Sequence, residues 1–200
     1  MSSDPALVLA RWFSTETFLE PVNDELMARL KWTIDTGEID TADDLALWIE
    51  AILSDGFGYH DSLYMSSANE ARSDQELEAL NLLCEAYYAD SGRASDLDWL
   101  RTDFERILEA NHGISLGRYA YPVAIGKAAA ICGLPLDMTT RFYLRSLAMR
   151  LIRSATHLMQ LSNEEARAIM MRVLTFCSAL SKRTLNPINR NFAPTLFETS

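Results

Sequence analysis

The chain contains one serine whose surroundings match the pattern of a hydrolase nucleophile. Ser115 lies in the segment 113–117, GISLG, which fits G-x-S-x-G, and Asp137 and His157 follow in the Ser, Asp, His order of an α/β-hydrolase triad. That motif needs a strand directly before the serine and a helix directly after it, because the sharp turn holds the hydroxyl exposed. Here a helical pattern precedes Ser115, and residues 118–121 delay the next helix. Two glycines in a helix–helix linker explain the match, so we do not predict a serine hydrolase.

Other chemically capable residues lack the neighbours that their chemistry needs. Gly126-Lys127 departs from a phosphate-binding loop, because the first glycine of that loop would fall at Tyr121 and its Ser or Thr at Ala128. The three histidines (His60, His112 and His157) have no partner at C-x-x-C or H-x-x-x-H spacing. The sequence therefore predicts no catalytic residue, no metal site and no cofactor of its own.

Acidic residues are concentrated between residues 35 and 50, which raises the alternative of paired catalytic carboxylates. Several of them stand at predicted helix starts, where a negative charge complements the helix dipole. A solvated acidic face explains the cluster better than general acid–base chemistry does.

Length and composition indicate one globular domain spanning residues 1–200, with an N-terminal arm over 1–22 and a loop-like tail over 186–200. Hydrophobic residues make up 48% of the chain, yet no apolar run approaches the ~20 residues that a membrane helix needs. The first residues lack the basic segment of a secretory signal. Three widely spaced cysteines suggest free thiols in a reducing compartment, so we predict a cytoplasmic location without membrane association.

Charge is divided unevenly along the chain. Residues 1–110 contain 7 Lys and Arg against 24 Asp and Glu, whereas residues 111–200 contain 11 against 4. The overall net charge of −10 argues against general nucleic-acid binding. Two interpretations of the basic half stay open: neutralisation of the acidic helices within the fold, and a basic face reserved for a partner.

Hydrophobic periodicity predicts an all-α fold of about eight to ten helices and no sheet. Capping boxes are predicted at Thr41 with Asp44, Ser73 with Glu76, and Ser162 with Glu165. Gly37 and Gly56 are predicted to end helices, and Asp61 to cap the helix that follows the turn at 56–61.

The most informative stretch is residues 117–161, where a short Ala-rich helix is followed by a Gly-Leu-Pro break and a long amphipathic helix. Pro122 suits the first turn of the short helix, Gly126 lets another helix approach closely, and Gly133 supplies a left-handed cap. The long helix is predicted to bury one stripe: Leu144, Leu147, Ala148, Leu151, Ala155 and Leu158. Arg150, Arg153 and His157 are predicted to share the opposite, basic face.

These residues carry a family resemblance. The pattern R-Y-x-Y-P-V-A-x-G-x-A-A from Arg118, then G-L-P-L and S-A-x-x-L-x-x-L, resembles the urease accessory protein UreF family. Weaker similarity covers residues 30–61, including Gly37, Gly56, Gly58 and Asp61, and the tail. The tail resembles the segment that precedes the family's C-terminal basic-aromatic motif.

The resemblance implies an all-α, non-catalytic nickel-insertion chaperone that forms a homodimer and binds UreD (also called UreH). Through that complex the protein would engage the GTPase UreG and serve apo-urease, with nickel held by its partners. Partner contacts are expected from five residues: Arg118, Tyr119, Arg150, Arg153 and His157. For Arg118 and Tyr119 a second interpretation stays open, in which they satisfy the N-terminal groups of the helix that follows. Turn and packing roles are expected from seven: Gly37, Gly56, Gly58, Asp61, Pro122, Gly126 and Gly133. The alternatives are a helical interaction module and a ligand-binding regulator, both unrelated to urease; the regulator would need an internal cavity with convergent polar groups.

Overall fold

The computed structural model describes residues 4–13, 25–91, 94–117 and 119–185 of the protein. These residues form nine helices and no strand, which confirms the predicted all-α fold. The helices are α1 (Pro5–Trp12), α2 (Glu25–Asp35), α3 (Ala42–Ser54), α4 (Phe57–Glu70), α5 (Asp74–Asp90), α6 (Ala94–His112), α7 (Tyr121–Ile131), α8 (Leu136–Met159) and α9 (Asn163–Thr184). Over the described residues, every helix is too short or too polar to cross a bilayer.

Local sequence signals set several of the helix ends. Thr41 with Asp44, and Ser162 with Glu165, form reciprocal capping boxes as predicted. Ser73 accepts a hydrogen bond from the Glu76 N–H, but the Glu76 carboxylate accepts from the Arg72 N–H, so this third box is not reciprocal.

Glycine ends α2 and α7 in the same manner. Gly37 (φ +76°) and Gly133 (φ +62°) adopt the left-handed conformation that an L side chain rarely takes. After α7, the Leu134 N–H donates to the Ala129 carbonyl at 2.9 Å and the Gly133 N–H donates to the Ala130 carbonyl at 3.2 Å. This pair of bonds is the Schellman motif, which satisfies carbonyls that the helix end leaves open.

The capping box of α9 predicts a loss of stability in acid. Hydrogen bonds from the Ser162 hydroxyl and N–H lower the pKa of the Glu165 carboxyl below its ordinary value. Because the folded-state pKa is the lower one, the stabilisation is complete above about pH 4.5 and is lost as the pH falls further. We expect Ser162→Ala to lower the free energy of unfolding by about 1 kcal/mol at neutral pH and to weaken this acid dependence. Urea denaturation at neutral and acid pH measures both effects. Ser115→Ala, at an exposed loop serine, is the control, and equal losses in the two variants would contradict the prediction.

Helix α8 is the central element, since it packs against α1, α2, α3, α4, α7 and α9. Buried apolar side chains from all nine helices join one cluster, and each helix contributes at least one fully buried residue: Trp12, Leu30, Ile49, Met65, Leu77, Phe104, Val123, Leu144 and Val173. The most extensive helix pair is α4 with α7. The small residues predicted to permit close approach in α7 therefore lie at the tightest contact of the bundle.

Part of the predicted N-terminal arm belongs to the core. Residues 5–12 form α1, and the indole N–H of fully buried Trp12 donates to His112 Nε2 at 3.2 Å. The predicted tail 186–200 lies outside the described residues. None of the three cysteines forms a disulfide; Cys84 and Cys177 are buried, whereas Cys132 is half-buried. Burial raises the pKa of Cys177 to about 12, so its thiol stays protonated at neutral pH.

The predicted turn and cap at residues 56–61 are wrong. Helix α4 begins at Phe57, and Asp61 lies inside it with no exposed surface. Its carboxylate accepts hydrogen bonds from the Tyr88 hydroxyl, at 2.7 Å, and from the Tyr143 hydroxyl. The cap prediction failed because these acceptor–donor pairs are far apart in sequence, so no local pattern could reveal them.

Gly56 caps the start of α4 and does not belong to the end of α3, which is capped by Asp55. A Cβ atom at Gly56 would lie 2.8 Å from the Ile52 carbonyl oxygen, and one at Gly58 would lie 2.7 Å from that of Leu53. Both glycines therefore allow α4 to start directly against the last turn of α3.

The last position of the predicted α8 stripe is also wrong. Leu144, Leu147 and the other members up to Ala155 are buried, but Leu158 is 41% exposed. The neighbouring residue Met159 packs against the core instead, so the buried side has shifted around the helix at this end of α8.

Candidate protein-interaction surface

The segment before α7 is fixed to α5 by one buried side chain. The Ala120 N–H donates to Asn81 Oδ1 at 2.5 Å, and Asn81 Nδ2 donates to Glu85 Oε1 at 2.9 Å. Asn81 is 9% exposed, so both of its hydrogen bonds form largely away from water. This clamp holds Tyr119, the residue before Ala120, against the side of α5.

The start of α7 is in turn held by α4. Pro122 lies in the first turn of α7, as predicted, and the Asn69 amide donates to the Gly126 carbonyl at 3.2 Å. A Cβ atom at Gly126 would lie 2.2 Å from the Met65 carbonyl oxygen, which is far inside contact distance. Because Gly126 has no side chain, α7 can lie this close to α4. The position of the segment attached to α7 depends on that close contact.

Tyr119 lines an open groove of about 410 Å³ between α5 and the segment that joins α6 to α7. We name this site the α5 groove, and its lining residues are Glu78, Asn81, Leu82, Leu116, Gly117 and Tyr119. Leu82 is 66% exposed, an unusual position for a large apolar side chain. The groove therefore combines apolar lining with accessibility from solvent.

The α5 groove has a negative rim. Burial raises the pKa of the Tyr119 hydroxyl, and the carboxylates of Asp74 and Glu78 raise it further. Helix α5 contains five Asp and Glu residues and no Lys or Arg. A neutral tyrosine beside uncompensated carboxylates favours a cationic group over an anionic one at this surface.

The other predicted partner contacts lie on α8, outside the groove lining. Arg153 and His157 are exposed, as predicted for a basic face. Arg150 lies three residues before Arg153 on the same side of α8, but it is only partly exposed, and its charge acts on fully buried Tyr121. Arg118 lies outside the described residues.

The residues that the sequence singled out for other chemistry do not form such sites. Ser115 lies in residues 113–117, which have no regular structure and follow helix α6, so the strand of a nucleophile elbow is missing there. Across the described ranges, no three His, Cys, Asp or Glu side chains converge as metal ligands.

Sequence reasoning missed the α5 groove, although one signal was present. Helical spacing in α5 indicates a buried stripe of Leu77, Leu80, Cys84 and Tyr87. The structure instead buries Tyr88 completely and leaves Tyr87 half-buried, with its ring stacked on that of His60 at 4.7 Å. Leu82 lies about 140° around the helix from Leu77, off that stripe. A large apolar residue on the polar face of an acidic helix is the signal that could have located the groove.

Comparison with known proteins gives a consistent result. The family model UreF matches residues 39–174. The chain is 32% identical over 180 residues to the urease accessory protein UreF of Ruegeria pomeroyi, covering 90% of this chain and 82% of that protein. It is 28% identical over 184 residues to the urease accessory protein UreF of Roseobacter denitrificans, covering 92% and 81%. The similarity thus includes α3 to α8, both sides of the α5 groove and most of α9.

Proposed function

Because this chain belongs to the UreF family and is a urease accessory protein, we propose that it scaffolds the assembly that delivers nickel to apo-urease. In this proposal the chain forms a homodimer, binds UreD (UreH), and through that complex engages the GTPase UreG. It catalyses no reaction itself. The partner complex holds the nickel cargo and the nucleotide, and the assembly works in the cytoplasm.

The observation that carries the proposal is the family match over residues 39–174, together with relatives aligned over about nine-tenths of the chain. The architecture is compatible with scaffolding, because a bundle with one connected core offers a rigid outer surface. Tyr119, Arg153 and His157 present side chains of types that are common at interfaces, and we propose them, with Arg118, as contacts for UreD or UreG.

Co-expression provides the test of this function. The chain is produced with UreD and UreG from the same organism, the complexes are separated by size-exclusion chromatography, and their masses are measured by light scattering. In parallel, the chain is supplied to a urease-producing strain that lacks its own UreF. We expect a complex containing all three proteins and restoration of nickel-dependent urease activity. Absence of both the complex and the activation would refute the proposed function.

One residue of the α8 face gives a sharper prediction. Arg153→Glu reverses an exposed charge, and we expect it to weaken binding of the partner complex by about tenfold, as interface arginines often do. Arg106→Glu is the matched control, since Arg106 is a largely exposed arginine of α6 paired with Asp103. Biolayer interferometry measures both affinities. Equal affinities for the two variants would remove Arg153 from the proposed contacts.

A further inference from the structure

The α5 groove has an apolar centre that its own fold leaves uncovered. Leu82 from α5 and Leu116 from the opposite wall both line it, and Leu82 is the most exposed of the large apolar side chains described. Burying such a side chain against an apolar partner is favourable because it removes apolar surface from water. An exposed leucine within a concave site is therefore suited to receive an apolar anchor.

Helix-dipole effects explain only part of the acidic rim. Asp74 and Glu76 lie in the first turn of α5, where negative charge stabilises a helix. Glu78 and Glu85 lie beyond that turn, so the dipole does not account for them. Within the described residues, neither Asp74 nor Glu78 forms an ion pair with a Lys or Arg side chain. The carboxylates of Asp74 and Glu78 can therefore pair with a positively charged group that comes from outside the described part of the chain.

The floor of the groove is poorly suited to a small polar ligand. Asn81, its most buried polar side chain, already accepts a hydrogen bond from Ala120 and donates one to Glu85. Small-molecule sites are enclosed and aim a few polar groups at the ligand, whereas this groove is open and its central polar group is engaged. The groove instead presents the apolar side chains of Leu82 and Leu116, with the carboxylate of Glu78 beside them.

We propose that the α5 groove binds a basic segment of a protein partner. An apolar side chain of that segment packs between Leu82 and Leu116, and a Lys or Arg side chain lies against Glu78 and Asp74. The inference rests on the proposed function in one respect: the partner is a protein of the urease-maturation assembly. It adds to that function a second contact surface, opposite in charge to the Arg153 and His157 face.

Two substitutions with matched controls test the proposal. Leu82→Glu removes the apolar contact, and Glu78→Lys reverses the charge of the rim. Leu47→Glu is the control for the first, because Leu47 is a comparably exposed helix leucine (56% against 66%) that does not line the groove. Glu109→Lys is the control for the second, an exposed glutamate of α6. Circular dichroism and thermal unfolding establish that all four variants fold as the wild type does.

Binding to purified UreD, to UreG and to the UreD–UreG mixture is measured over a range of salt concentrations. We expect Leu82→Glu and Glu78→Lys to weaken binding at least tenfold and the controls to change it less than twofold. We also expect binding of the wild type to weaken with salt, and binding of Glu78→Lys to weaken less steeply, because one screened attraction is gone.

Three results would overturn the inference. If the wild type assembles with UreD and UreG while both groove variants bind as tightly as their controls, the groove is not the contact and the proposed function still stands. If the groove variants change only self-association in light scattering, the occupant is a second copy of this chain. If the wild type neither forms the complex nor restores urease activity, the proposed function fails, and the groove loses the partner assigned to it.

Discussion

Replacing Asp61 with alanine is expected to lower the free energy of unfolding by about 3–5 kcal/mol, and the melting temperature by about 10 °C. Asp61 has no exposed surface and accepts hydrogen bonds from two tyrosine hydroxyls, those of Tyr88 in α5 and Tyr143 in α8. The alanine variant removes this acceptor from both buried hydroxyls, and each buried polar group left unsatisfied costs about 1–3 kcal/mol. Urea denaturation monitored by circular dichroism measures the loss.

Three further variants serve as comparisons for Asp61→Ala. Tyr88→Phe and Tyr143→Phe each remove one donor, and a double-mutant cycle with Asp61→Ala gives the coupling energy of each hydrogen bond. Asp40→Ala, at an exposed aspartate, is expected to change the stability by less than about 0.5 kcal/mol. If Asp61→Ala were as mild as Asp40→Ala, the buried three-residue network would not be stabilising the bundle.

Gly126→Ala is expected to destabilise the protein by about 3 kcal/mol, although alanine is the better helix former by about 1 kcal/mol. The added Cβ atom would lie 2.2 Å from the Met65 carbonyl oxygen and 2.9 Å from Ala68 Cβ. A backbone carbonyl inside α4 cannot rotate away as a flexible side chain can, so α7 must move away from α4. That movement would also lengthen the 3.2 Å hydrogen bond from Asn69 to the Gly126 carbonyl.

The sign of the Gly126 effect distinguishes packing from helix propensity. Ala179→Gly, at an exposed position of α9, is the control for propensity and is expected to cost about 1 kcal/mol. Thermal and urea unfolding of both variants measure the difference. A Gly126→Ala protein that is more stable than the wild type would mean that α4 and α7 do not meet as closely as described.

Both substitutions also connect stability with the proposed binding surfaces. Asp61 ties α4 to α5, which carries the groove, and to α8, which carries Arg153. Gly126 allows α7 to lie close to α4. The residue before α7, Ala120, is hydrogen-bonded to Asn81, next to Tyr119. We therefore expect the fraction of either variant that remains folded to bind partners more weakly than the wild type, since preorganisation of a surface contributes to its affinity.

Elements governed by neighbours in sequence could be predicted from the sequence. The capping boxes at Thr41 and Ser162, the glycine ends at Gly37 and Gly133, and the α8 stripe up to Ala155 all depend on residues within a few positions of one another. The physical reason is that helix periodicity and capping hydrogen bonds act within one or two turns. The resemblance to the UreF family rested mainly on one continuous stretch, residues 117–161. The family match over residues 39–174 confirmed that resemblance.

Only the tertiary structure decided what these helices do to one another. The hydrogen bonds of Asp61 reach partners 27 and 82 residues away, and the clamp from Asn81 to Ala120 spans 39. Leu158 is exposed although it belongs to the apolar stripe, because the bundle, and not the helix pattern, sets where the core ends. The α5 groove arises in the same way, since its walls come from segments that meet only when α7 packs against α4 and α5. The spacing of apolar residues determines which side of a helix is apolar. Which other helices cover that side depends on how the whole chain packs.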